Sequence, residues 1–231
     1  ASVCRVQTEA FQLAAHGDEF EARLAVPDDP DGRGIAVMPG AGHGPWGDIF
    51  DLLAEEAASD GAYVLRFEGW PSADDLESKT LREFQSELVA ALERLAAEGC
   101  SELAVVAKSF GGGVTLTDVP DVVDSAVLWA PATFTLGDTD RLDDALDTPF
   151  EELIEPSEQR KFAPSRLADV DVPVLVIQGA DDRQELVEHA RGVVDALPDA
   201  DLVVREGEDH SFRGDDREQA VVDETLAFLR E

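Results

Sequence analysis

Long apolar runs are absent from this sequence. No stretch approaches the roughly 18–20 consecutive apolar residues that a membrane-spanning helix needs. The N-terminal residues also lack the basic segment followed by an apolar segment that marks a secretory signal. The sequence therefore predicts a soluble, cytoplasmic protein.

Cysteine is nearly absent as well. Cys4 and Cys100 are the only two, and neither has a partner at metal-ligand spacing. Two thiols so far apart are typical of buried or idle side chains rather than of a disulfide framework. The sequence implies neither a metal nor an organic cofactor.

Basic residues are scarce, and this shortage excludes several partners. Lysine and arginine together number 18 against 51 acidic residues, which gives a formal net charge of −33. The acidic residues are dispersed along the chain, so they indicate an acidic surface rather than an interaction tail. Nucleic acid and anionic membranes carry negative charge, as this protein's surface does, so electrostatic repulsion makes them poor partners. In this respect the chain resembles proteins of salt-loving microbes, and a halophilic source is the expectation.

What the sequence does have is a regular alternation of short apolar runs and longer amphipathic stretches. This alternation predicts an α/β fold with a mainly parallel central sheet flanked by helices, in a single domain over 1–231. The segment 132–170 is polar, acidic and proline-containing, and we expect it to be a short insertion or lid. The predicted strands are 19–26, 35–38, 63–67, 103–107, 125–129, 174–178 and 201–205, and the predicted helices are 49–59, 76–98, 112–118, 185–197 and 217–229.

Four of the predicted strands are followed by residues that could carry chemistry. The glycine-rich stretch 39–44 follows the second strand, and Ser109 follows the fourth. The pair Asp181 and Asp182 follows the sixth strand, and His210 follows the seventh. Because ligands of parallel α/β sheets gather where strands end, these residues are expected to meet at one edge. A serine there needs a base, and the base needs a carboxylate.

In this order the motifs resemble those of the α/β hydrolases, in the compact branch that includes dienelactone hydrolases. The resemblance runs from about residue 35 to the end of the chain. It implies that Ser109 is the nucleophile, His210 the base and Asp182 the acid, because the family's acid stands three residues after the strand-ending glycine, here Gly179. Asp181 remains the alternative acid.

The same resemblance implies an oxyanion hole and leaves two neighbouring side chains open. The backbone N–H groups of Phe110 and Ala41 would supply its two donors. His43 and Lys108 could contact substrate. His43 could equally line the pocket entrance without a chemical role, and for Lys108 a salt bridge to one of the many carboxylates is the favoured interpretation. Ala107 stands where the family has glycine, a departure of one methyl group.

The function that these residues predict is hydrolysis of a small-molecule carboxylic ester, a thioester or a lactone through an acyl-enzyme. One alternative is a catalytically silent α/β-hydrolase fold used for binding. A second is a nucleotide-binding protein that uses the glycine-rich stretch as a phosphate loop. Against it, the dinucleotide fingerprint requires glycine where Pro45 stands.

Overall fold

The described residues form one eight-stranded sheet with helices on both faces, in a computed structural model that describes residues 6–41, 44–132, 146–153 and 167–231. The strand order is β1-β2-β4-β3-β5-β6-β7-β8. The strands are β1 (Gln7–Ala15), β2 (Asp18–Val26), β3 (Arg33–Met38), β4 (Tyr63–Phe67), β5 (Glu102–Lys108), β6 (Ser125–Trp129), β7 (Val174–Gly179) and β8 (Ala200–Arg205). The helices are α1 (Asp48–Ser59), α2 (Ala73–Ser78), α3 (Leu81–Ala97), α4 (Phe110–Thr117), α5 (Phe150–Leu153), α6 (Gln184–Ala196) and α7 (Asp215–Phe228).

The sheet is parallel from β4 to β8, and only its first part is antiparallel. Strands β1 and β2 form a hairpin, and β2 then pairs antiparallel with β4. All pairs from β4–β3 to β7–β8 are parallel. This arrangement confirms the predicted α/β class, and it brings the carboxyl ends of β3, β5, β7 and β8 to one edge.

Each face of the sheet has its own apolar core. One core contains side chains of α3, α4 and α6, among them Phe84, Val114 and Val193. The other contains side chains of α1 and α7, among them Leu53 and Val222. Parallel strands that are covered on both faces are expected to be apolar on both sides, and β7 is buried at every position.

The structure differs from the prediction at two elements. Strand β1 was not predicted, because only Leu13 among its residues is buried and no alternating pattern marks it. The predicted helix 76–98 is interrupted: Lys79 is extended, and a new helix begins after Thr80. Thr80 and Glu83 form a capping box, a start signal that is visible in the sequence.

Of the predicted insertion 132–170, residues 133–145 and 154–166 lie outside the described residues. The described part between them packs on the start of α3. The N–H of Phe150 donates to Lys79 O at 2.7 Å, and the Phe150 ring meets Phe84 edge-to-face at 5.9 Å.

Candidate active site

Ser109 occupies a sharp turn between β5 and α4. Its backbone has φ 49° and ψ −114°, a left-handed conformation that costs a non-glycine residue energy. Such strain at a strand-to-helix turn projects the side chain outward from the end of the sheet. Although Ser109 is the N-cap residue of α4, its hydroxyl makes no capping hydrogen bond. The hydroxyl is therefore directed elsewhere.

Close backbone approach at this turn requires glycine after the serine. A Cβ at Gly111 would lie 2.5 Å from Pro39 O and 2.7 Å from Met38 O, closer than real Cβ atoms come to backbone. At Gly112 a Cβ would lie 3.1 Å from Pro131 Cβ. The turn therefore packs directly on the loop after β3. Ala107 is fully buried before the turn, so its extra methyl group is accommodated.

His210 joins the hydroxyl to a carboxylate. Its Nε2 lies 3.0 Å from Ser109 Oγ, and its Nδ1 lies 2.7 Å from Asp182 Oδ2. With the ring proton on Nδ1, the ring donates to the carboxylate and accepts from the serine hydroxyl. Asp181, the alternative acid, is exposed, and its backbone N–H donates to Glu208 O. Asp182 is thus the carboxylate that the fold places against the imidazole.

The Asp182 carboxylate is held from three directions and stays ionised. Besides the His210 contact, Gln178 Nε2 donates to Oδ2 at 2.8 Å, and the Arg183 N–H donates to Oδ1 at 2.7 Å. Burial raises the pKa of Asp182, but these hydrogen bonds and the charge of His210 outweigh it, so the pKa of this carboxyl lies below its usual value. Gln178 is not among the predicted site residues, although it is a lone polar residue at the end of an apolar strand, which is a signal visible in the sequence.

Gly179 lets the loop after β7, which carries Asp182, contact the loop after β8, which carries His210. A Cβ there would collide with Glu208 O and lie 2.7 Å from Asp209 O, both of them backbone atoms just before His210. No side-chain rearrangement can relieve such a collision. The distance between Asp182 and His210 therefore depends on the absence of a side chain at this position.

We expect Gly179→Ala to push these two loops apart. The overpacking should destabilise the protein by about 1–3 kcal/mol, and misplacement of His210 should lower kcat by up to about 10²-fold. Gly192→Ala is the matched control, since no described atom lies within 4 Å of a Cβ there and the position is inside α6. That variant should gain roughly 0.5–1 kcal/mol and keep its activity. Thermal melts and ester-hydrolysis rates test both, and a Gly179→Ala protein that behaves as wild type would show that the loops have room.

The two predicted oxyanion donors lie beside Ser109. Phe110 is the first residue of α4, and first-turn N–H groups point out of the end of a helix. Gly40, in the loop after β3, packs on the serine: a Cβ there would lie 3.3 Å from Ser109 Cβ. Ala41 follows directly, and its N–H donates to no backbone carbonyl in the described parts of the chain. His43 lies outside the described residues.

Lys108 is buried immediately before the serine. Lys108 is only 6% exposed, and no carboxylate of the described residues lies within ion-pair distance of its Nζ. The surface salt bridge considered from the sequence is therefore not formed there. Burial lowers the pKa of Lys108, and the charge of Arg213 lowers it further, while the carboxylates of Asp209, Asp182 and Asp48 act in the opposite direction.

Neither a metal site nor a membrane-spanning helix is found among the described residues. Their His, Cys, Asp and Glu side chains form no group of three or more that could hold a metal ion. None of their helices is both long enough and apolar enough to cross a bilayer.

Comparison with known proteins finds other proteins of the same fold. A family model described as TAP-like protein, of the α/β-hydrolase type, matches residues 153–231, the part that carries Asp182 and His210. Comparison with curated protein sequences gave no match. Among solved structures, the chain is similar to a dienelactone hydrolase from Anabaena variabilis, with 19% identity, coverage of 96% of this chain and 95% of that one, and a TM-score of 0.70.

Two other similar structures carry different names. One is Est1E from Butyrivibrio proteoclasticus, at 14% identity, with 95% and 97% of the two chains covered and a TM-score of 0.74. The other is an acylaminoacyl peptidase from Pyrococcus horikoshii, at 16% identity and a TM-score of 0.75. The match covers 99% of this chain and 42% of the peptidase. At such identities the likeness establishes the fold, which is that of the α/β hydrolases.

Proposed function

We propose that this protein, an α/β hydrolase by fold, is a serine hydrolase that cleaves a small carboxylic ester, thioester or lactone. The observation that carries the proposal is the continuous hydrogen-bonded chain from Asp182 through His210 to Ser109, with 2.7 Å and 3.0 Å between the paired atoms. A serine hydroxyl becomes a useful nucleophile only when a base accepts its proton. These contacts support an orientation of that base in which Nδ1 carries the ring proton and Nε2 can accept the serine proton.

The proposed reaction has two stages. Ser109 Oγ attacks the ester carbonyl as its proton passes to His210 Nε2, and Asp182 stabilises the imidazolium that forms. The N–H groups of Phe110 and Ala41 bind the oxyanion of the tetrahedral intermediate. Collapse of this intermediate breaks the ester bond, and His210 returns the proton to the leaving alcohol. Water, deprotonated by His210, then attacks the acyl-enzyme. As the bond between the acyl carbon and Ser109 Oγ breaks, His210 returns the proton to Oγ and the acid is released.

An ester is favoured over an amide because the similar structures include a dienelactone hydrolase, although an acylaminoacyl peptidase is also among them. Rates on matched p-nitrophenyl acetate and p-nitroacetanilide test this choice. We expect turnover of the ester to exceed turnover of the anilide by orders of magnitude. Faster anilide hydrolysis would favour a peptidase, and no turnover by folded protein would favour the catalytically silent binding alternative.

Lys108 is proposed to favour substrates with a free carboxylate, because it is a buried cation next to the nucleophile of an acidic protein. Lys108→Met keeps the apolar stem and removes the charge. We expect kcat/KM for p-nitrophenyl hemisuccinate to fall about ten- to a hundredfold, the value of a hydrogen bond to a charged group. The neutral p-nitrophenyl butyrate is the control and should change little. Equal slowing of both substrates would mean that Lys108 only supports the local structure.

A further inference from the structure

The indole of Trp70 makes a directed contact with the loop that carries one of the proposed oxyanion donors. Trp70 lies in the segment between β4 and α2 and is 5% exposed. Its Nε1 donates to the carbonyl oxygen of Gly40 at 3.2 Å. Thirty positions separate the two residues in the chain, and Trp70 belongs to none of the motifs that predict the site.

The Gly40 carbonyl and the Ala41 N–H belong to the same peptide group. A trans peptide is planar, with its C=O and N–H pointing in opposite directions. A donor that fixes the Gly40 oxygen on one side therefore fixes the Ala41 N–H on the other. Because Gly40 packs on Ser109, the orientation of this one peptide plane decides whether the Ala41 N–H faces the reacting carbonyl.

The ring that holds this peptide is itself tightly held. Trp70 packs edge-to-face against Phe110 at 5.5 Å and against Phe84 at 5.2 Å. Edge-to-face pairs at such centroid distances add about 0.5–1.5 kcal/mol each beyond burial and restrict the ring. Phe110 supplies the other proposed donor. A single indole thus connects the residues of both donors.

The backbone before Trp70 is anchored as well. The carbonyl of Gly69 accepts a hydrogen bond from Lys79 Nζ, which also pairs with the fully buried carboxylate of Glu87. His16 Nε2 lies 2.8 Å from the same Glu87 oxygen. Trp70 is therefore fixed at its backbone and at its ring, as a residue that positions a catalytic group must be.

We propose that Trp70 is a positioning residue for the oxyanion hole, which sets the orientation of the Gly40–Ala41 peptide through its indole N–H. This inference rests on the proposed function, and it concerns how Ala41 is aimed rather than whether Ser109 reacts. Loss of the indole N–H frees the peptide to rotate, so stabilisation of the transition state falls while binding of the ground-state ester does not.

The test compares Trp70→Phe with Trp129→Phe. Both variants lose a buried indole N–H, but Trp129 Nε1 donates at 2.9 Å to Thr225 Oγ1, in the core on the other face of the sheet. For Trp70→Phe we expect kcat to fall about tenfold or more with KM within twofold, since removal of a whole oxyanion donor costs about 10²–10³. Trp129→Phe should keep both constants, whatever it does to the melting temperature.

A trifluoromethyl ketone supplies a readout that a merely structural role would not change, because its serine adduct carries an oxyanion. Its inhibition constant for Trp70→Phe should rise by the same factor by which kcat/KM falls, as expected for a transition-state analogue. If Trp70→Phe does not fold, benzothienylalanine at position 70 replaces the N–H by sulfur in a ring of nearly the same shape. The same losses are expected from that variant.

The outcomes separate this inference from the function on which it rests. If wild type is active and a folded variant that lacks the indole N–H keeps its kcat, the role of Trp70 is overturned, but the proposed function is not. A loss confined to KM, or an equal loss in Trp129→Phe, overturns that role as well. A wild-type protein that neither hydrolyses esters nor reacts with a fluorophosphonate overturns the proposed function, and the inference with it.

Discussion

Ser109→Ala is expected to reduce ester hydrolysis to the background rate. Removing the nucleophile of a serine protease costs about 10⁶-fold in kcat, and the same chemistry is proposed here. The fold should be unaffected, because the hydroxyl makes no capping bond to α4 and alanine has the same backbone restrictions at φ 49°. Turnover of p-nitrophenyl acetate by purified protein, with circular dichroism to verify folding, measures both effects.

Ser101→Ala is the control for that substitution. Ser101 precedes β5 and Ser109 follows it, so roughly 25 Å of strand separates the two hydroxyls. The control should retain full activity. If the Ser109→Ala protein is folded and turns over the ester as fast as wild type, Ser109 is not the nucleophile.

Asp182→Asn is expected to cost about 10⁴-fold in kcat, as the corresponding change does in the serine-protease example, where it leaves the imidazole in the wrong tautomer. An asparagine amide that donates toward Nδ1 would force the ring proton onto Nε2. A protonated Nε2 cannot accept the serine proton. Asp181→Asn is the matched control: it makes the same chemical change one residue earlier, on an exposed side chain.

We expect the control to keep kcat/KM within about a few-fold of wild type, since a single exposed charge contributes little. Both variants should be assayed at the same pH, above the usual range of carboxyl pKa values. Equal losses, or a larger loss in Asp181→Asn, would show that the acid is not Asp182.

Much of the fold could be predicted because its buried strands have a strong sequence signature. Strands such as β6 and β7 are short runs of mostly apolar residues, and their predicted bounds lie within one residue of the observed ones. Strand β1 has no such signature, since it lies at the sheet edge with one buried side chain and is defined mainly by pairing with β2. The predicted helix 76–98 did not include the break at Lys79. The prediction followed the apolar spacing of α3 and did not use the capping signal at Thr80.

Some residues of the candidate site could likewise be predicted from sequence patterns, and others could not. Ser109, Asp182 and His210 follow predicted strands, so the parallel sheet alone brings them to one edge, and their spacing to neighbouring glycines was readable. Trp70, in contrast, stands in no local sequence pattern that marks its contact. The Trp70 contact with Gly40 depends on how the segment after β4 crosses the loop after β3, which is a property of the assembled sheet.

The central claim is that Ser109 is a nucleophile activated by His210, and covalent labelling tests it most directly. Folded protein is treated with a fluorophosphonate, digested, and the adduct is located by peptide mass spectrometry. We predict a single stoichiometric adduct on Ser109 in wild type, much slower labelling in a His210→Ala protein, and none in Ser109→Ala. An adduct on a different residue, or no adduct in folded wild-type protein, would contradict the account.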